Sequence, residues 1–154
     1  MKGMPIKTKH ILPTTYLLIA LFAILVLHFI FPLIKFIPFP WNLVGLIPLI
    51  IGVLINILAD GALHKAGTTV KPFQESNALV TDSVYGISRH PIYLGFVLLL
   101  IGVAILLSSL SPWIIIPIFI ILMERLFIHM EERMLEEKFG ANWITYKKKV
   151  RKWI

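Results

Sequence analysis

Residues 14–37 of the chain read TTYLLIALFAILVLHFIFPLIKFI, and Lys35 is the one charged residue among them. A helix needs about 20 apolar residues to cross the hydrocarbon core of a bilayer, which is about 30 Å thick. This stretch is long enough to cross. It is too long for the apolar region of a typical secretory signal peptide, and no A-x-A-like cleavage site follows it. It therefore predicts a retained transmembrane helix.

Three further apolar blocks follow, at about 43–63, 92–107 and 112–130, and the block at 92–107 is the shortest. Of 154 residues, 58% are hydrophobic and 15% are charged, whereas a soluble domain has about a quarter charged residues. These features predict an all-α polytopic membrane protein with about four transmembrane helices in a single domain, residues 1–154. Pro32, Pro48 and Pro117 lie inside the blocks, where proline is expected to kink a membrane helix.

Lysine and arginine residues precede the first block, separate the second block from the third, and follow the fourth. In this arrangement Lys35 is the one basic residue on the opposite side of the membrane. Basic residues concentrate on the cytoplasmic side of membrane proteins. The pattern therefore predicts that both termini and the long loop 64–91 are cytoplasmic. A basic edge that faces anionic headgroups explains the net charge of +7, so nucleic acid is not a predicted partner.

The segment from 123 to 153 changes from apolar to amphipathic. Its apolar residues recur at helical spacing with glutamates between them, which predicts that the fourth helix continues out of the membrane as a rod. Gly140 offers a stop to that helix. Trp143 and Trp153 flank a run of basic residues, and this combination predicts an anchor at the membrane interface.

Several kinds of site are excluded or disfavoured. The chain has no cysteine, so it has no disulfide, thiolate metal site or cysteine nucleophile. No P-loop or G-x-G-x-x-G motif occurs, and the five histidines are scattered, so neither a soluble nucleotide fold nor a metal site is predicted. We interpret His28, alone in an apolar helix, as a packed or hydrogen-bonded side chain. The first helix has no carboxylate, which disfavours a cation–proton antiporter.

The long loop contains AGTTVKPF at 66–73 and ALVTDSVYGISRHPIYLG at 78–95. Pro91 stands at the predicted first position of the third helix, where its missing N–H is not needed, and it keeps His90 extended. The amides of Ile92 and Tyr93 are then unpaired donors at a helix N-terminus, which suits a carboxylate or phosphate. From these residues alone, an ordinary helix start at the membrane border remains the alternative.

Five pieces of sequence between about Gly67 and Ile154 resemble, in order and spacing, the isoprenylcysteine carboxyl methyltransferase and phospholipid methyltransferase superfamily of integral membrane enzymes. They are LVT at 79–81 with Tyr85, RHPIYLG at 89–95, EERML at 131–135, FG at 139–140 and YKKKV at 146–150. The first two predicted helices match only in being hydrophobic. The resemblance implies methyl transfer from S-adenosylmethionine to a lipophilic, membrane-soluble acceptor, such as a phospholipid amine, a carboxylate or a thiol.

The resemblance also implies a cofactor site between the loop and the rod. Its contacts would be Asn77, Ala78, Leu79, Val80, Tyr85, His90, Pro91, Ile92, Tyr93 and Glu131. Glu131 suits the ribose or the ammonium group, and Tyr85 offers an aromatic face to a cation. We expect Glu131 to face the loop and Glu132, about 100° further round the helix, to point elsewhere. The catalytic residue is not identified; Arg125 and Glu132 are the candidates.

The chain departs from the family pattern at two places. Ser83 and Val84 stand where family members often have Gly-Pro or Gly-Val, so the loop is expected to turn differently. The isoprenylcysteine enzymes have a substrate-contacting arginine in the position of Phe127. Arg125 lies about 200° from Phe127 around a helix, so it is no simple replacement. The sequence therefore does not favour a prenylated-cysteine substrate.

Two other functions compete with methyl transfer. Sterol reductases, which use NADPH, have a similar loop of the form R-H-x-N-Y, but this chain has Ile92 in the asparagine position. A scaffold or transporter subunit without enzymatic activity would leave the loop motifs unexplained.

Overall fold

The computed structural model describes residues 11–68, 74 and 76–154, and these residues form helices without any β-strand. The helices are α1 (Pro13–Ile30), α2 (Leu46–Lys65), α3 (Pro91–Leu107), α4 (Ser111–Phe139) and α5 (Ala141–Lys149). Short 3₁₀ turns, Trp41–Gly45 and Ser83–Gly86, precede α2 and α3. The prediction of an all-α membrane fold is confirmed.

Within the described residues, α1, the stretch Trp41–Lys65 and α4 are long and apolar enough to cross a membrane. The 17-residue α3 is shorter. At 1.5 Å per residue it spans about 26 Å, slightly less than the hydrocarbon core. It packs along the length of α2, so it traverses the same apolar layer as the longer helices. The chain is thus an integral membrane protein, with α3 as the shortest of about four crossings.

The first helix is shorter than predicted. We expected it to reach residue 37 with a kink at Pro32, but α1 ends at Ile30. Pro32 has no N–H to continue the helix, and a residue that precedes a proline avoids helical geometry. The proline therefore ends the helix instead of bending it. By contrast, Pro48 lies in the first turn of α2 and Pro117 lies within α4.

Polar contacts join the ends of α1, α3 and α4 on one side of the bundle. Lys35 and Ser109 form an isolated β-bridge. The hydroxyl of Ser111 donates to the carbonyl of Leu27 at 3.3 Å. His28 Nδ1 lies 2.9 Å from Ser109 Oγ, which confirms that His28 is hydrogen-bonded. The opposite side of the bundle, where α1 and α3 begin, contains the motif residues.

Glycines allow α2 and α3 to approach closely. A Cβ atom on Gly52 would lie 2.6 Å from the carbonyl oxygen of Gly95, and one on Gly102 would lie 2.7 Å from that of Gly45. Small residues at helix contacts in membranes permit such backbone contact, which there replaces the hydrophobic driving force of soluble proteins. The pairing fixes α3, whose first turn contributes to the candidate site.

The fourth helix continues beyond its apolar part, as predicted. It begins with a 3₁₀ turn, contains a π-helical turn at Glu124–Ile128, and continues as an α-helix to Phe139. Gly140, at a φ of 49°, ends it and allows the turn into α5. Single π-helical turns inside α-helices occur often at functional sites. Here the π turn lies just before Glu131 and Glu132.

Candidate active site

A cavity of about 600 Å³ lies where α1 begins, α2 ends, α3 begins and α4 approaches α5. Its volume is within the range of about 300–1,000 Å³ that small-molecule sites occupy. Most of the lining side chains are apolar or aromatic. The polar side chains are those of Arg89, His90 and Glu131, together with Thr14, Gln74, Ser76, Glu137 and Lys138. An apolar cavity with a few convergent polar groups is the usual form of a ligand site.

The cavity brings together nine of the ten cofactor residues that the sequence suggested. They are Ala78, Leu79, Val80, Tyr85, His90, Pro91, Ile92, Tyr93 and Glu131. Asn77 does not line it; its backbone N–H donates to Thr68 Oγ1 at 3.0 Å. Residues 69–73 and 75, including Lys71 and most of the AGTTVKPF motif, lie outside the described residues.

His90 is buried between two carboxylates. Its Nδ1 lies 3.6 Å from Glu131 Oε2 and its Nε2 lies 3.3 Å from Glu132 Oε1. The expectation that Glu132 points away from the loop was therefore wrong. Glu131 and Glu132 do point in different directions from the helix. The imidazole ring of His90 has a nitrogen on each of two sides, so it can contact both carboxylates.

Arg89 is a buried cation that was missing from the predicted site. Its Nη2 lies 2.9 Å from Glu132 Oε1, and its guanidinium lies 5.7 Å from the centre of the Trp143 ring. Among the described residues, the Nε and Nη1 atoms of Arg89 have no hydrogen-bond partner, and the same is true of Nε1 of Trp143. Both residues line the cavity. Buried N–H groups without a partner are uncommon in proteins, so these donors suit a polar atom of a ligand.

Trp143 was predicted to be an interfacial anchor, and this was wrong. Its side chain is 1% exposed and packs with Tyr146 and Val150. The basic run that follows it is on the surface of α5, so the helix directs its aromatic face inward and its lysines outward. A signal was available in the sequence, because Trp143 and Tyr146 are three residues apart and share one helix face.

Burial and charge change the titration of the groups around the cavity. Burial by itself lowers the pKa of His90, but hydrogen bonds and negative charge from Glu131 and Glu132 outweigh it and raise the pKa above 6.5. Burial raises the pKa of Tyr146 to about 12. Burial, followed by the charge of Glu131, also raises the pKa of Tyr85. The two tyrosines stay neutral, and the Tyr146 hydroxyl donates to the carbonyl of Tyr85 at 2.7 Å.

Glu131 and Tyr93 form the polar edge of the cavity. The Tyr93 hydroxyl donates to Glu131 Oε1 at 2.5 Å, and this carboxylate is partly exposed. The helix α3 begins at Pro91, and the His90 side chain makes no capping bond. The first amides of a helix have no partner within it. The N–H groups of Ile92 and Tyr93 therefore remain suited to an anionic group.

The two catalytic candidates lie outside the cavity. Arg125 is exposed, in a separate shallow groove with Ile121, Glu124 and His129. Glu132 lies behind Arg89 and His90 and does not line the cavity. Phe127 is 2% exposed, and its ring contacts those of Tyr16 and Tyr93. An aromatic side chain thus occupies the position where the isoprenylcysteine enzymes have an arginine.

Ser83, which departs from the family pattern, has an unusual backbone conformation. Ser83 adopts a φ of 55°, in the left-handed region that glycine enters without strain. Residues 83–86 form a 3₁₀ turn that places Tyr85 against Ala59 of α2 and within the cavity wall.

The fold and the cavity define a class: a helical membrane protein with a cavity at one end of its helix bundle. Within this class, residues 41–142 match the family described as phospholipid methyltransferases. The chain belongs to this family. The match begins at residue 41, so the resemblance includes α2, which we expected to match only in hydrophobicity.

Curated relatives are similar to this chain over most of its length. It is 38% identical over 143 residues to protein-S-isoprenylcysteine O-methyltransferase of Saccharomyces cerevisiae, across 85% of this chain and 58% of the yeast protein. It is 31% identical over 112 residues to a probable protein-S-isoprenylcysteine O-methyltransferase of Oryza sativa subsp. indica, across 70% of this chain and 57% of the rice protein. The chain thus spans little more than half the length of these relatives.

A solved structure has a similar fold. It is that of a eukaryotic intramembrane Ras methyltransferase, isoprenylcysteine carboxyl methyltransferase. The TM-score is 0.63 at 24% sequence identity, and the similarity covers 92% of this chain and 51% of that one. At this identity the likeness concerns the fold.

Proposed function

We propose that this protein transfers a methyl group from S-adenosylmethionine to a lipophilic acceptor that enters from the bilayer. The observation that carries the proposal is the convergence of loop and rod residues on one cavity, with Glu131 and the first turn of α3 at its edge. The curated relatives named above are methyltransferases. This favours methyl transfer over the reductase and scaffold alternatives.

The residues around the cavity fit S-adenosylmethionine. Glu131 presents a partly exposed carboxylate to a ribose or an ammonium group. The first-turn amides of Ile92 and Tyr93 suit the carboxylate of the amino-acid part. The apolar side chains Leu79 and Val80 suit the flat faces of the adenine, and the ring of Tyr85 suits a cation.

When bound, S-adenosylmethionine supplies a methyl group on a positively charged sulfur, and a single displacement transfers it. The protein has to align the reacting groups and exclude water. Phe96 and Tyr93 give the cavity an apolar wall. The N–H groups of Arg89 and Trp143 that have no partner among the described residues can orient an oxygen atom in the site. No covalent attachment to the protein is required.

The acceptor is proposed to be lipophilic because most of the side chains that line the cavity are apolar or aromatic. Leu12 and Pro13, where α1 begins, contribute to the lining together with Phe96 of α3. These residues adjoin the apolar part of the bundle. A phospholipid amine, or a carboxylate or thiol on another lipophilic molecule, fits this description.

Glu131→Gln should weaken the binding of S-adenosylhomocysteine by about ten- to a hundredfold, because a charge-assisted contact contributes about 1.5–3 kcal/mol. Glutamine keeps an acceptor for the Tyr93 hydroxyl, so the fold should be little disturbed. Calorimetry on the detergent-purified protein measures the affinity. The matched control is Glu136→Gln on the same helix, whose carboxylate is exposed and lies 3.5 Å from Lys147; it should bind as the wild type does.

The same calorimetry on the wild-type protein distinguishes a methyltransferase from a reductase. Methyl transfer requires that S-adenosylhomocysteine binds and that NADPH does not. Binding of NADPH alone would overturn the proposal in favour of a reductase. Equal affinities of Glu131→Gln and Glu136→Gln would remove Glu131 from the site.

We also propose that the cavity and both termini face the cytoplasm, because of the distribution of basic residues. The chain has no cysteine, so single cysteines report topology directly. Ser76→Cys, in the lining of the cavity, should react with a membrane-impermeant maleimide only after the membrane is opened. Lys35→Cys, at the other end of the bundle, should react in intact cells. The reverse pattern would contradict this orientation.

A further inference from the structure

The segment that follows α5, residues 150–154, crosses behind the R-H-P motif; we name it the strap. It begins in an extended conformation at Val150, which is buried with Trp143 and Tyr146. Trp153 packs against the main apolar core of the bundle. None of the strap residues lines the cavity.

The strap supplies hydrogen-bond acceptors to the motif. The carbonyl of Arg151 accepts from the N–H of Arg89 at 3.1 Å. The carbonyl of Lys152 accepts from the hydroxyl of Ser88 at 3.1 Å. Ser88 Oγ in turn accepts from the N–H of His90 at 3.2 Å. The two residues that enter the cavity wall just before α3 are thus both connected to the strap, His90 through Ser88.

These donors are buried away from water, so their acceptors have to come from the protein. The strap provides the acceptors for the Arg89 amide and the Ser88 hydroxyl. Ser88, Arg89 and His90 are all less than 10% exposed. Leaving a buried donor without a partner is unfavourable, because the donor has lost its water and gains no acceptor. If the strap moved away, the Arg89 amide and the Ser88 hydroxyl would lose their acceptors, and the backbone at 88–90 would have to rearrange.

Side chains attach the strap to the bundle at two points. Lys152 Nζ donates to Glu124 Oε1 at 2.7 Å, in the π-helical turn of α4. The Trp153 ring provides the apolar contact. The same stretch of α4 continues to Glu131 and Glu132, which contact His90. The strap therefore connects the loop and α4, the two sides of the cavity, from behind.

We propose that the strap is a positioning element of the active site, in which Lys152 and Trp153 hold two backbone carbonyls that fix Arg89 and His90 in the cavity wall. This inference rests on the proposed function for the identity of the ligand, whereas the attachment of Arg89 and His90 to the strap is tested independently of it. Lys152, Trp153 and Ser88 are then positioning residues and contact no ligand themselves.

The experiment compares a strap variant with a matched control in hydrogen exchange and in ligand binding. The variant Lys152→Met/Trp153→Ala removes both attachments and leaves every cavity residue unchanged. The control Ile144→Ala/Lys147→Met removes one apolar side chain and one exposed lysine from α5. In the variant, the amides of residues 84–90 should exchange about tenfold faster, and S-adenosylhomocysteine should bind about tenfold more weakly. The control should match the wild type in both.

Lys152→Met alone provides a second, milder variant in case the double replacement does not fold. It should show the same changes in smaller size, and Lys152→Arg, which keeps the cation, should restore them. Wild-type affinity in a strap variant would overturn the proposal, even with faster exchange. If the wild type bound no S-adenosylhomocysteine, the proposed function would fail; exchange would then decide alone, with faster exchange supporting the strap's role and unchanged exchange overturning it.

Discussion

Replacement of Glu132 by alanine is expected to lower the free energy of unfolding by about 3–5 kcal/mol, because it leaves buried cationic groups without a counter-charge. The carboxylate lies 2.9 Å from Arg89 and 3.3 Å from His90, and both partners are buried. S-adenosylhomocysteine binding should weaken as well, since Arg89 and His90 line the cavity. The change in the free energy of unfolding is measured by unfolding the purified protein in detergent and monitoring the loss of its helical signal.

Glu136→Ala is the matched control for this experiment. Glu136 lies on the same helix one turn further on, but its contact with Lys147 is exposed, and such pairs contribute at most about 1 kcal/mol. A loss below about 1 kcal/mol in Glu132→Ala would contradict the assignment of a buried ion pair. Double replacement of Arg89 and Glu132 by leucine should lose less stability than the sum of the single replacements.

The sequence predicted the helices well where hydrophobic blocks stood alone. The starts of α1 and α3 and the continuation of α4 to Gly140 were expected from the apolar blocks, Pro91 and the glycine stop. The end of α1 was misjudged, because block length was weighed above the effect of Pro32 on the helix. The π-helical turn in α4 was not foreseen, since its residues ERLFI have an ordinary helical pattern.

The motifs predicted nine of the residues that line the cavity, but they did not predict Arg89, although it belongs to the RHPIYLG motif. The contact between Arg89 and Glu132 joins residues 43 positions apart, and composition does not show whether either charge is buried. Glu132 was expected to point away from the loop, but it contacts His90 there. The expectation used only the angle between neighbouring residues on a helix and did not consider that the two ring nitrogens of His90 can contact two carboxylates. The hydrogen bonds from the strap are made by backbone carbonyls, whose positions no side-chain pattern specifies.

Gly52→Ala is expected to lower the free energy of unfolding by about 3 kcal/mol, at the upper end of overpacking effects. The added Cβ would lie 2.6 Å from the Gly95 carbonyl oxygen and 3.1 Å from the Leu99 amide nitrogen. Both are backbone atoms, so no side chain can rotate to relieve the contact, and α2 must separate from α3. In a membrane, close packing of this kind is a main source of helix association.

The separation should also affect the cavity, because α2 supports its wall. Ala59 of α2 packs against Tyr85, and Leu63 lines the cavity, so Gly52→Ala should weaken S-adenosylhomocysteine binding without altering any cavity residue. Gly61→Ala on the same helix is the control: its Cβ would meet no atom within 4 Å, and alanine should raise stability by up to about 1 kcal/mol. Equal stabilities of the two variants would mean that α2 and α3 do not make backbone contact. The position of the cavity wall would then depend on the loop and α4 alone.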